Sequence, residues 1–179
     1  SKDTLTWCMA LANIAIQYNL QGDLLKCLEM HEQSIELLSN QPKSNMLATS
    51  LFNLGGIYSD LDDHKKAMSY YQEASDIYRD NADSIGIGYV LNNIGFSFQK
   101  LNQYDSASHY LENALNLRRQ IRDVDGICQS ALHLGKLKYG EGFMEEAIQL
   151  FQEALAVARE YELIYRESNL LAQIGAHLL

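Results

Sequence analysis

Residues 53–58 read Asn-Leu-Gly-Gly-Ile-Tyr, and the phrase returns in steps of forty as NIAIQY at 13–18, NIGFSF at 93–98, HLGKLK at 133–138 and QIGAHL at 173–178. Asn13, Asn53, Asn93, His133 and Gln173 head these segments, and a second column of Cys27, Ala67, Ala107 and Ala147 keeps the same period. Self-similarity at a fixed interval of roughly 20 to 50 residues marks a solenoid, in which each repeat buries its apolar face only against its neighbours. Function is then to be sought on the surface that the repeats share.

The columns also say what each repeat is. Leu51, Leu54, Gly55 and Tyr58 follow helical spacing, and Ala67, Tyr71 and Ala74 do so again beyond the break at Asp62-Asp63. The third repeat supplies Leu91, Ile94, Gly95 and Phe98, then Ala107, Leu111 and Ala114; the fourth supplies Leu134, Gly135, Ala147, Phe151 and Ala154. Small residues belong where two helices approach closely, and large ones fill the gaps beside them. The unit is a helical hairpin that turns at Gly22, Asp62, Asn102 and Gly142, residue types suited to turn geometry.

This pattern resembles the tetratricopeptide repeat family, whose signature W-x2-L-G-x2-Y, A-x3-F and a further Ala is met by Leu51, Leu54, Gly55, Tyr58, Ala67, Tyr71 and Ala74. The first repeat is degenerate, with Ala15, Cys27, His31 and Ser34 at the signature positions, and the fifth shows its first helix alone. The unit is 40 residues long instead of the usual 34, and the closing proline is missing, Pro42 being the only proline. The resemblance is thus to the long-repeat branch, with kinesin light chains, Leu-Gly-Asn repeat proteins, bacterial peptide-pheromone receptors and bacterial signalling regulators. It implies an all-α, right-handed α-solenoid of antiparallel hairpins forming one array over 1–179, with repeats at roughly 5–44, 45–84, 85–124 and 125–164 and a partial one at 165–179. The chain starts at Ser1 and stops at Leu179 inside a repeat, so it is expected to be an excerpt of a longer protein.

Composition narrows the function. Hydrophobic residues make up 47% of the chain, ample for a core, yet no stretch approaches the roughly 18 consecutive apolar residues of a membrane span. With no signal peptide and no paired cysteine spacing, a reducing, cytoplasmic setting is expected. Cys27 lies in the small-residue column and is expected as a buried free thiol, while Cys8 and Cys128, on first helices, are candidates for a place near the groove. A net charge of −9 argues against nucleic acid, which demands a basic stripe. Arg118, Arg119 and Arg122 form the one dense basic spot, read as a solvated helix end that favours the helix dipole, with an acidic-patch contact as the alternative.

No catalytic constellation emerges, so no enzyme activity, metal or cofactor is expected. His31 and His64 lack a His-Glu-x2-His context, Gly86-Ile87-Gly88 lacks the third glycine and the strand of a phosphate-binding loop, and no serine stands on a strand-to-helix elbow. His109, His133 and His177 lie far apart, and carboxylates such as Glu145 and Glu146 read as the wet face of a helix.

Recognition is what the resemblance implies: first helices of successive hairpins line a concave groove for a peptide or a partner's segment. Counting from Gly55 places Thr49, Phe52, Asn53, Gly56, Ser59 and Asp60 there; the third repeat adds Tyr89, Asn92, Asn93, Phe96, Gln99 and Lys100; the fourth adds Gln129, Leu132, His133, Lys136, Tyr139 and Gly140. An amide offers both donor and acceptor, so Asn13, Asn53 and Asn93 either clamp a bound backbone or tie neighbouring helices together. Lys100 and Lys136 suit a carboxylate, and Tyr89 and Phe96 suit apolar contacts. The two-carboxylate clamp of chaperone-binding members is not reproduced, because the first two repeats lack its lysines. The rival reading is self-association through the last helix, where Leu170, Leu171, Ile174, Leu178 and Leu179 have no second helix to cover them.

Overall fold

The computed structural model describes residues 2–39 and 42–178, with side chains for all of these except 2 and 176–178. The described residues form α1 (Lys2–Leu20), α2 (Leu24–Ser39), α3 (Asn45–Asp60), α4 (His64–Asp80), α5 (Ser84–Lys100), α6 (Tyr104–Gln120), α7 (Val124–Gly140), α8 (Met144–Glu160) and α9 (Ile164–Leu178), and no strand. The fold is all-α, a solenoid of helical hairpins. Contacts divide the chain into two compact units, 1–90 and 91–179, with the division inside α5.

In the first unit α3 and α4 meet across Gly55. A Cβ there would lie 2.6 Å from the Tyr71 ring and 3.1 Å from the Ala67 carbonyl oxygen, so only a hydrogen allows this approach. Ala67, Tyr71 and Ala74 are correspondingly buried, each at 1% exposure or less. The α1–α2 hairpin uses Ala15 in the glycine's place and His31 in the tyrosine's; both are buried, and burial pushes the His31 pKa down. Ala15, Cys27, Leu54 and Ile57 form a core cluster flanked by Tyr18, Tyr58 and Tyr70, with the last two rings stacked 5.4 Å apart.

The second unit repeats the device twice. A Cβ on Gly95 would lie 2.7 Å from Leu111 Cγ, and one on Gly135 would lie 2.5 Å from the Phe151 ring. Leu111, Leu115, Leu134, Leu137, Phe151, Leu170 and Ile174 join one buried cluster with the small residues Ala107, Ala131, Ala147 and Ala154. Burial of each large side chain of this kind stabilises the fold by about 1.5–3 kcal/mol.

The turns keep a period of twenty. Gly22, Asp62, Ala82, Asn102, Arg122, Gly142 and Glu162 all have positive φ, between 54° and 88°. At each the chain leaves one helix through the left-handed region that closes helix ends. For Asp62 the pattern is explicit: its N–H bonds to Ser59 O at 3.1 Å, and that of Asp63 to Tyr58 O at 2.9 Å. Asp23, Asp63, Asp83 and Asp123 then cap the next helix, each accepting through Oδ1 the N–H three residues on, at 3.2, 3.1, 2.9 and 3.0 Å. Position 42 in the positive-φ column is proline, whose ring fixes φ near −65°. There α3 starts instead behind Ser44, whose Oγ accepts the Leu47 N–H at 3.4 Å.

Three expectations need correction. Arg118 is not a solvated helix end but fully buried, at 0% exposure, with Nη1 3.5 Å from both Gln129 Oε1 and Asp123 Oδ2. Gly126 makes room for it, since a Cβ there would lie 2.2 Å from Nη1; Gly86 does the same for the Tyr78 ring in the first unit. The basic spot is therefore dispersed: Arg119 pairs with Glu153 at 2.8 and 2.6 Å, and Arg122 is an exposed turn residue. Cys8 and Cys128 are buried free thiols like Cys27, 1% and 0% exposed, the Cys128 thiol directed at Ala154 O, 3.4 Å away. They match Ala48 and Gly88 in the repeat, positions that pack between helices. Finally, Leu170 and Ile174 are buried in the second unit's core, while Leu171 is 49% exposed. The side chains of His177, Leu178 and Leu179 lie outside the described residues.

Candidate functional site

In the second unit the facing sides of α5 and α7, with the turns that follow them, enclose a groove of about 1300 Å³. Asn92, Asn93, Phe96 and Lys100 come from α5, and His133, Lys136 and Tyr139 from α7. Asn93, Phe96 and Lys100 on α5, and His133, Lys136 and Tyr139 on α7, are spaced three or four residues apart and so run along one helical face. Tyr104, the first residue of α6, and Glu141 and Phe143 from the turn after α7 complete the lining. On the α5 wall Lys100 Nζ stands 5.2 Å from the centre of the Phe96 ring. Tyr104 Oη donates to Asn102 Oδ1 at 2.9 Å, which fixes the phenol at the rim.

Asn92 and His133 meet across the two walls. Asn92 Nδ2 lies 2.7 Å from His133 Nδ1, a donor–acceptor pair when the neutral imidazole carries its proton on Nε2. Burial, reinforced by the charges of Lys136 and Arg118, lowers the His133 pKa to about 4 from the ordinary 6.5. Burial also lowers the pKa of Lys136. The Lys136 ammonium donates to Gln173 Oε1 at 2.5 Å, and Gln173 Nε2 donates to Asn169 Oδ1. His133 and Gln173, two members of the column headed by Asn13, thus each bond to the neighbouring first helix.

Of the residues expected to line a groove, Asn92, Asn93, Phe96, Lys100, His133 and Lys136 come together here, with Gln99, Tyr139 and Gly140 beside them. Gln129 accepts from the buried Arg118 and is absent from the lining. In the first unit Asn13 is exposed and Asn53 half-buried. Thr49 Oγ1 donates to Asn45 O at 2.8 Å and lies 3.0 Å from Tyr78 Oη; Tyr89 lies 6.2 Å from Phe52, ring centre to ring centre. Tyr104, Glu141 and Phe143 escaped the sequence reading, which counted along helices only. Aromatic residues at a hairpin turn, where polar ones are the rule, were the signal available.

Among the described residues no helix is long and apolar enough to cross a membrane, and no three His, Cys, Asp or Glu side chains group as metal ligands.

The tetratricopeptide repeat family model matches residues 7–80 and 86–160. No curated protein matches the sequence. Among solved structures the chain is similar to aspartyl phosphate phosphatase F from Bacillus subtilis, at 17% identity and a TM-score of 0.88, covering 99% of this chain and 47% of that one. It is similar to BtubC from P. vanneervenii at 17% identity and a TM-score of 0.74, covering 94% and 73%. It is also similar to the Rap conjugation gene regulator of plasmid pLS20 in complex with the Phr* peptide, at 19% identity and a TM-score of 0.73, covering 98% and 50%. The chain spans about half the length of the phosphatase and of the conjugation regulator. With most of its length matched by the family model and its Gly55, Gly95 and Gly135 contacts built alike, the chain belongs to the tetratricopeptide repeat family.

Proposed function

We propose that the chain is a peptide-binding module whose groove between α5 and α7 takes an extended segment of a partner, and that it serves as the sensing part of a cytoplasmic signalling or regulatory protein. It acts by binding, without a chemical step or cofactor of its own. The observation that carries this reading is the groove itself: about 1300 Å³ walled by two first helices, with amide, aromatic and cationic side chains in its lining. Ligand sites are concave and combine apolar walls with a few placed polar groups. The fold adds support, since one similar structure is of a regulator in complex with a peptide.

A selection from a random peptide library displayed against the 179-residue chain tests the reading. Enriched peptides are titrated against the wild type and against Asn93→Ala. If this amide holds a ligand, affinity falls by roughly 0.5–1.5 kcal/mol. Unchanged affinity assigns the amide to holding helices together. Failure of any peptide to bind removes the module reading.

One observation favours a second reading, self-association through α9. Leu171 is 49% exposed where its repeat equivalents Leu51 and Ala131 are 2% and 0% exposed, and Gly175 meets nothing within 4 Å where Gly55, Gly95 and Gly135 are each covered by a second helix.

A further inference from the structure

The chain caps its second helices in the first unit and leaves them without a side-chain cap in the second. Asp23 and Asp63 stand before α2 and α4, and each accepts through Oδ1 the N–H three residues on, at 3.2 and 3.1 Å. The same column continues as Gln103 before α6 and Phe143 before α8, and neither side chain caps its helix. A helix that loses its cap loses stability. In place of the cap Phe143 holds a ring that is 51% exposed, and Tyr104, beside the other uncapped position, is 43% exposed. Both rings line the groove between α5 and α7. Gly140, in the same lining, departs from its column as well, since Leu20, Asp60 and Lys100 carry side chains there. A Cβ at 140 would meet nothing within 4 Å, so packing does not call for the glycine. A sequence that departs from its own repeat at a cost in stability, and bares apolar rings on a concave surface as it does so, marks a place of contact.

We propose that Phe143 and Tyr104, with the space that Gly140 leaves open, form a subsite for one large, uncharged apolar side chain of the peptide in the groove. This rests on the peptide-binding reading above and adds that the peptide is read at the hairpin turns as well as along the first helices. Charge decides the class of guest. The Lys138 ammonium already stands 5.5 Å from the centre of the Phe143 ring, and in the lining Lys100 and Lys136 outnumber Glu141 although the chain as a whole carries −9. A lysine or arginine guest is therefore repelled. A carboxylate guest meets Glu141 and gives up its hydration against two ring faces, whose quadrupoles are negative. An aromatic or branched aliphatic side chain meets neither obstacle, and its burial removes apolar surface of its own and of the exposed rings from water.

The test uses the peptides selected against the whole chain. Each residue of a binding peptide is replaced by alanine in turn, and affinities and melting temperatures are measured for the wild type, Phe143→Asn, Tyr104→Ser and Ile148→Asn. Phe143→Asn puts a neutral capping side chain where Asp23 and Asp63 cap their helices, so it is expected to melt no lower than the wild type while binding more weakly. Tyr104→Ser probes the other turn independently of α8. Ile148 is 39% exposed on α8 and outside the lining, and Ile148→Asn is expected to bind as the wild type does. One apolar peptide position is expected to lose about tenfold or more in affinity against the wild type on replacement by alanine, and to lose little further against either ring variant, the mark of a shared contact. A ring variant that binds every peptide as tightly as the wild type overturns the subsite and leaves the peptide-binding module standing. So does a coupled peptide position that has to be charged. If no peptide binds the wild type, the proposal falls together with the reading beneath it.

Discussion

Gly55, Gly95 and Gly135 are each pressed by a different neighbour, Tyr71, Leu111 and Phe151, while Gly175 faces open space. The same residue type in one column therefore carries opposite expectations. Gly95→Ala is expected to cost roughly 1–3 kcal/mol, because Leu111 and the backbone behind it have to shift. Gly175→Ala is expected to be neutral or to stabilise by up to about 1 kcal/mol, the helix-propensity gain alone. Denaturant melts of the two variants check this, and equal losses would undo the assignment of the column. His133 gives a pH prediction at the same scale. Its folded pKa of about 4 lies below the ordinary 6.5, so between these values the unfolded chain binds the proton and the folded one does not. Stability from this group is complete above about pH 6.5 and falls as the pH drops toward 4, by an amount on the order of 1–3 kcal/mol. His31, lowered by burial, adds in the same direction. Unfolding titrations at pH 7 and pH 4.5 are expected to show a smaller difference in His133→Asn than in the wild type. The glycine column was legible because a small residue at helical spacing has one structural use. Burial of Arg118 was not, because arginines clustered at the end of a helix look solvated until Gly126 opens a space for one of them.

Among the elements, the helices were easier to read than the turns that join them. Gly22, Asp62, Asn102 and Gly142 are turn-forming types and announce their hairpins, but Ala82, Arg122 and Glu162 carry no such signal and take the same left-handed backbone. There the twenty-residue period imposes the conformation and the residue bears the strain, about 1–2 kcal/mol for an L-residue with a Cβ. Ala82→Gly is accordingly expected to raise stability by up to about 1 kcal/mol, since relief of the strain exceeds the entropy that glycine adds to the unfolded chain. The reverse change at a native glycine, Gly142→Ala, is expected to cost about 1 kcal/mol. Thermal midpoints of the pair, moving in opposite directions, check the reading; a loss at Ala82→Gly would mean that the side chain makes a contact worth more than the strain. The groove had the same mixed legibility. Offsets from Gly55 find its helical walls, but the Asn92–His133 bond joins residues 41 apart, and only the three-dimensional stacking of repeats brings them together.

For the molecule as a whole, the columns allow the bare surfaces to be found by comparison of the chain with itself. Trp7 and Ile14 on α1 are 62% and 41% exposed, whereas Leu47 and Leu54, their equivalents on α3, are 8% and 1% exposed. At the other end Leu171 is bare where Leu51 and Ala131 are covered. In a solenoid these faces are the ones that a neighbouring helix buries, and an apolar face left in water favours association. The net charge of −9 opposes this at low salt, when like-charged chains repel, and salt screens that repulsion while leaving the apolar contact intact. Association of the 179-residue chain is therefore expected to increase with concentration and with ionic strength. Light scattering over a wide concentration range, at low and high salt, measures it. Leu171→Glu and Trp7→Glu separate the two faces: each adds a charge at an exposed position and is expected to leave the melting temperature nearly unchanged. If α9 is the contact, Leu171→Glu returns the chain to monomer and Trp7→Glu does not. If α1 meets α9 of the next copy, either change suffices. A wild-type chain that stays monomeric at every salt and concentration would show that neither face is sticky enough to associate.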